Sequence, residues 1–194
     1  MRSFLLYKIV VLLATGGSIV TVNAHPHLFI DVMAKFMFAD SVLSGVHVFW
    51  DIDEMSSASL IEEFDLDRNG KFEKTEYDKI YRDVFSWAAN SNYFMVVTWG
   101  KKLLKVSGTE RFVAVILPDK KIRYTFFVPF GIKLPDIVNE KFVMFFNDPS
   151  MFVAFDVNKK MITPAENSGW KGAISFEKED YNDLIILRVE RKPQ

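Results

Sequence analysis

Twelve residues from Asp65 to Glu76, DLDRNGKFEKTE, place acidic and amide side chains at the spacing that a hard dication requires. A calcium loop presents side-chain oxygens at positions one, three, five, nine and twelve, a backbone carbonyl at seven and a tight bend at six. Here those positions hold Asp65, Asp67, Asn69, Glu73 and Glu76, with the carbonyl of Lys71 at seven and Gly70 at the bend. Phe72 takes the apolar eighth position, and Arg68, Lys71 and Lys74 oppose a cation by Coulomb repulsion. The chain holds no second loop of this kind to pair with. The expected affinity is therefore weak, on the order of 10⁻⁴ to 10⁻³ M, and suits holding a structure more than sensing. The plainer alternative is a solvated acidic turn between two helices.

Nitrogen donors gather elsewhere. Two of the three histidines, His25 and His27, flank Pro26 just after a stretch that reads as an export signal. Cleavage after Ala24 would leave the α-amine of His25 beside its own imidazole, a chelate for zinc, nickel or copper, with His27 adding a further nitrogen. Pro26 has no amide proton to lose, so a square-planar amide-bound site cannot form in its usual way. His47 offers a fourth nitrogen if the second strand lies beside the first. The alternatives are a flexible polar terminus for His25 and His27 and a hydrogen-bonded sheet histidine for His47. Catalytic signals are missing: there is no nucleophile motif, glycine-rich phosphate loop or HExxH. Asp51 and Asp53 serve as readily for helix capping as for acid–base work, and Asn147-Asp148-Pro149 reads as a turn. The expectation is a non-enzyme, with a copper oxidase built on His25 as a minor alternative.

Elements to position these residues can be read from periodicity. Residues 1–24 carry Arg2 and Lys8, then an apolar run broken by Gly16, Gly17 and Ser18, then Val22 and Ala24 at small-residue cleavage positions, which is the pattern of a signal peptide. That run is too short and too interrupted to span a membrane, and no later stretch does better. Residues 25–194 make one exported, periplasmic domain with core enough to fold alone. The chain has no cysteine, so neither disulfides nor thiolate metal sites contribute. With 24 basic against 25 acidic residues and no basic run, nucleic acid is not an expected partner.

Alternation over 28–38 and 42–51 predicts two strands joined as a hairpin at Ala39-Asp40-Ser41, with His47 and Asp51 on one face. Met55, Ala58, Ile61 and Phe64 then predict a helix capped by Asp53 or Ser56, and Tyr77 to Ala88 a second helix ending near Asn90. Strands follow at 93–99, 103–106, 112–117, 122–128, 142–146 and 184–189, with a looser polar segment over 158–172. The fold class is α+β, mainly antiparallel β and sandwich-like, with an EF-hand-like helix-loop-helix at about 53–90 inserted after the second strand.

Four segments together, AHPHLFID at 24–31, VFWDIDE at 48–54, DLDRNG at 65–70 and FNDPSMFVAF at 146–155, resemble a bacterial secreted family, the domain of unknown function numbered one thousand and seven. That family is described as the periplasmic component of an uncharacterised ABC-type transport system, often encoded beside nickel, cobalt or zinc permeases. The resemblance implies metal-associated roles for His25 and His27 and for the acidic loop. Its partner would be a membrane metal permease. The competing expectation is a calcium-stabilised binding module for another envelope protein, with the histidines incidental.

Overall fold

The computed structural model describes residues 26–193. The signal peptide expected over 1–24 and the first histidine, His25, lie outside the described residues. Strands β1 (Leu28–Ala39) and β2 (Val42–Ile52) form the expected hairpin. Asp40 turns it with φ 50°. The helical insertion follows as α1 (Glu54–Phe64), the acidic segment, α2 (Lys74–Asp83) and a 3₁₀ stretch (Phe85–Phe94). Then come β3 (Met95–Trp99), β4 (Lys102–Leu104), β5 (Glu110–Ile116), β6 (Ile122–Lys133), a single turn α3 (Leu134–Ile137), β7 (Phe142–Phe146), β8 (Val153–Thr163), β9 (Trp170–Glu179) and β10 (Asn182–Arg191).

The strands build two five-stranded sheets, ordered β5-β6-β2-β1-β8 and β4-β3-β7-β10-β9. Their inner faces share one hydrophobic core, because alternation along β1 and β2 turns Ile30, Val32, Ala34, Phe36, Val46, Val48 and Trp50 the same way. Aromatic rings bridge the sheets: Phe36 meets Phe142 edge-on at 5.9 Å and Trp50 meets Phe146 at 6.3 Å. Among the described residues all strand pairings are antiparallel except β1 with β8, where Leu28 lies beside Val153 in parallel. The architecture is the expected β-rich α+β fold.

Three local expectations need correction. The polar segment 158–172 is largely strand, since β8 runs on to Thr163 and β9 starts at Trp170. Strand β8 is a sheet edge, where exposed lysines such as Lys159 and Lys160 discourage further pairing, so its composition resembles that of a loop. The second helix does not continue to Ala88. α2 stops at Asp83 and the chain tightens into 3₁₀ geometry, while Phe85 and Ala88 keep the buried face that the periodicity marked. In α1 the buried side is carried by Ser57 and Phe64; Met55 is 74% exposed and Ala58 also faces solvent.

Candidate functional site

Asp53 opens α1 as its cap. One carboxylate oxygen accepts from the Ser56 amide at 2.9 Å, and the other from the Ser56 hydroxyl at 2.8 Å and the Phe29 amide at 3.1 Å. The helix start is thereby tied to the first strand. Burial acts to raise the Asp53 pKa, but these donors outweigh it and hold the carboxyl below its ordinary value. Farther along α1, buried Ser57 donates to the Ile52 carbonyl at 3.0 Å and accepts from the Ile122 amide at 2.9 Å, joining the insertion to β6.

Between the two helices the chain folds inward upon its own acids. Asp65 accepts the amides of Asn69 at 3.1 Å and Gly70 at 3.0 Å. Glu76 accepts Leu66 N–H on one oxygen at 2.8 Å and Glu73 N–H on the other at 3.0 Å. Gly70 sits at φ 78°, where a side chain would be strained. Asp65, Asp67 and Glu76 consequently each bring a carboxylate oxygen within 4.8 Å of the others. Asp65 and Glu76 are only 7% and 5% exposed.

Two features of this cluster bear on cation chemistry. The Asn69 amide donates to Asp67 and to Glu73, each at 2.8 Å, so two expected ligands are bridged by a hydrogen-bond donor. Burial acts to raise the Glu76 pKa, yet donation by the Glu73 and Leu66 amides outweighs it and lowers the pKa, so this acid stays ionised. The donor set is all oxygen, which matches a hard cation. Beneath the cluster, Phe64 and Phe72 are buried in the main core at 1% and 8% exposure. Phe72 thus anchors the segment on its own domain.

His27 and His47 do not converge. His27 is exposed at the start of β1, its amide donating to the Phe152 carbonyl at 2.9 Å and its ring 5.3 Å from the Phe152 ring. His47 stands on β2 opposite Lys35 and Phe127, with its ring 4.9 Å from that of Phe127. Lys35 is eight positions beyond His27 along β1, about 26 Å at roughly 3.3 Å per residue. The second strand does lie beside the first, but antiparallel register carries His47 to the far end, so it cannot join His27 at one ion. Burial, with Arg111 and Lys35 nearby, pushes the His47 pKa down and makes its surroundings cationic.

Asp51, considered beside Asp53 for acid–base work, instead receives a two-pronged bond from Arg123, Nε at 2.6 Å and the second nitrogen at 2.7 Å. Asp148 closes the expected turn, accepting from Ser150, Phe152 and Val153 amides. Sequence reasoning missed Ser57 and Arg123. A serine within a helix and an arginine within a strand carry no spacing signal, because the strand pairing that gives them partners is remote in sequence.

Comparison with known proteins finds two uncharacterised relatives. One, from Spirochaeta aurantia, is named "Uncharacterized 15.5 kDa protein in trpE 3'region" and is 29% identical over 118 residues, 60% of this chain and 82% of that protein. The other, an "Uncharacterized protein" of Haemophilus influenzae, is 26% identical over 140 residues, 72% of this chain and 66% of its own length. The family model described as "Protein of unknown function (DUF1007)" matches residues 10–174, which takes in the β1–β2 hairpin, the whole helical insertion and every strand through β8, and stops within β9, before β10. On that span, this chain belongs to the DUF1007 family.

Proposed function

We propose that this protein is a periplasmic metal-binding accessory component of a transition-metal transport system, with calcium bound by the acidic segment of its helical insertion. The observation that carries the ion-binding half is the close approach of the Asp65, Asp67 and Glu76 carboxylates, two of them buried. Three like charges so placed repel one another, and a divalent cation relieves that repulsion. Asp65, Asp67, Asn69, Glu73 and Glu76, with the Lys71 carbonyl, are the ligands of this reading, and Asn69 must turn its amide for its oxygen to take part. The transport half rests on the His25-Pro26-His27 terminus, whose imidazoles and freed α-amine suit zinc, nickel or copper. The partner is a membrane metal permease.

The test uses tag-free mature protein. At a calcium concentration a hundredfold above the dissociation constant, binding to the folded state adds about 2.7 kcal/mol of stability, and Glu76→Gln removes that gain. Identical melting with and without calcium refutes the calcium site. Zinc, nickel and copper titrations compare the native protein with His25→Ala and His27→Ala; equal affinities in all three refute the terminal site.

A second reading, a calcium-stabilised module that binds another envelope protein, is favoured by the separation of His47 from His27 along β1. It predicts the calcium result without the histidine result.

A further inference from the structure

Where the end of the 3₁₀ stretch, the β3–β4 hairpin and the Asn147-Asp148-Pro149 turn come together, they leave an open cleft of about 600 Å³. That is the size of a small-ligand site, roughly 300–1,000 Å³. Hydrogen bonds tie its walls to one another. The Asn92 side chain donates to the Met95 carbonyl and accepts from the Val106 amide at 3.0 Å, which holds the segment after β4 against the 3₁₀ stretch. The Asn147 backbone amide donates to the Phe94 carbonyl at 2.8 Å and fixes the turn to the same stretch. The cleft is thus formed before any ligand arrives, and little ordering cost opposes binding.

The lining is one-sided in its chemistry. Met95, Leu103, Leu104 and Pro149 supply apolar surface, and Leu103 is left 73% exposed. Three polar side chains of the lining are uncommitted among the described residues: Lys105 makes no ion pair, and the Ser91 hydroxyl and Asn147 carboxamide make no hydrogen bond. No acidic side chain lines the cleft. From Trp99 to Thr109 the chain carries Lys101, Lys102 and Lys105 and no acid, which favours an anion along this edge. Nearby acids are turned elsewhere. Asp148 accepts from the Ser150, Phe152 and Val153 amides, and Glu140 lies against Gly100 in the hairpin turn; neither is part of the lining.

We propose that this cleft binds a small organic monoanion, a carboxylate on an apolar body, with the carboxylate at Lys105 and the body along Met95, Leu103 and Leu104. One unpaired ammonium without an acid beside it selects a single negative charge. The Asn147 carboxamide and the Ser91 hydroxyl can both donate to the same carboxylate. The lining holds no arginine, whose planar fork favours phosphate. A neutral hydrocarbon leaves the ammonium unanswered, and a short acid leaves the apolar wall open to water, so the ligand needs both parts. The cleft shares no residue with the acidic segment or the histidines and is independent of any metal.

Octanoate is the probe, with octan-1-ol keeping only the chain and acetate only the charge, and the readout is the backbone amide resonances of the tag-free protein. Octanoate should shift the Leu104, Lys105 and Asn147 amides together and saturate, with a dissociation constant of about 1 mM or below. Octan-1-ol should bind about threefold to tenfold more weakly, the share of one solvent-screened, charge-assisted hydrogen bond. Acetate should give no saturable shift. Lys105→Ala should weaken octanoate by the same factor and leave octan-1-ol unchanged. Ser91→Phe, at an exposed position, fills the cleft and should abolish both. The proposal is overturned if these amides do not move, if octan-1-ol binds as tightly as octanoate, or if Lys105→Ala binds octanoate unchanged. Shifts that grow without saturating, or that centre on another face of the domain, also overturn it.

Discussion

Ser57→Ala gives the sharpest test of how the helical insertion is held on the first sheet. The Ser57 hydroxyl is fully buried and serves two backbone groups from different elements, the Ile52 carbonyl and the Ile122 amide. Alanine keeps the helix and nearly the same volume, so packing is not the variable. The Ile122 amide becomes a buried donor with nothing to bond, at about 1–3 kcal/mol, and the lost bond to the Ile52 carbonyl adds roughly 1 kcal/mol. The expected cost is thus about 2–4 kcal/mol. For a domain of this size that is roughly 4–16 °C in melting temperature. Urea unfolding measures it as a lower midpoint at unchanged slope. Amide exchange adds a local reading, since protection at Ile122 should fall more than at its β6 neighbours. A loss below about 0.5 kcal/mol, with Ile122 protection intact, would refute the claim that one hydroxyl joins helix to sheet.

Three further outcomes are expected. Phe72→Ala should cost about 3–5 kcal/mol in urea unfolding, because the ring is a core residue despite its place beside the acids. In the metal-free protein, Glu76 and Asp148 have lowered pKa values: burial acts to raise both, but backbone amide donation outweighs it at Glu76, and the Ser150 hydroxyl together with backbone amides outweighs it at Asp148. Their stabilisation is complete above the unfolded carboxylate pKa of about 4 and is lost as pH falls through the folded values, so thermal stability should be level near neutrality and decline below about pH 5. Asp51→Asn should cost about 1–3 kcal/mol by the same measurement, since the two-pronged pair is charge-assisted and only partly screened, with Asp51 14% and Arg123 32% exposed.

What could be read from the chain alone was governed by distance in sequence. The alternation of β1 and β2 and the spacing of Asp65 to Glu76 are local patterns, and the structure bears out the hairpin and brings Asp65, Asp67 and Glu76 together. Burial of Phe85 and Ala88 was visible in their period, though the switch to 3₁₀ geometry was not, because both helix types bring near-neighbours to one side. The face of α1 was misjudged since Met55 and Ala58 are apolar yet exposed, while the polar Ser57 is buried with both its bonds made. Strand β8 was missed because its lysines obey the rule for an edge, and edge status is known only after the sheet is assembled. The same ignorance of register made His47 look like a neighbour of His27.

The parallel pairing of Leu28 with Val153 has a kinetic side. A ribosome or a translocation channel releases β1 early, but the edge it will lie against emerges only in the last quarter of the chain. Until then the first strand has one open flank, a template for any passing strand. Its exposed Asp31 and Lys35 sit along that flank. Asp31, which pairs with Lys121 at 3.8 Å in the finished protein, and Lys35 are well placed to keep the nascent hairpin from mispairing while it waits.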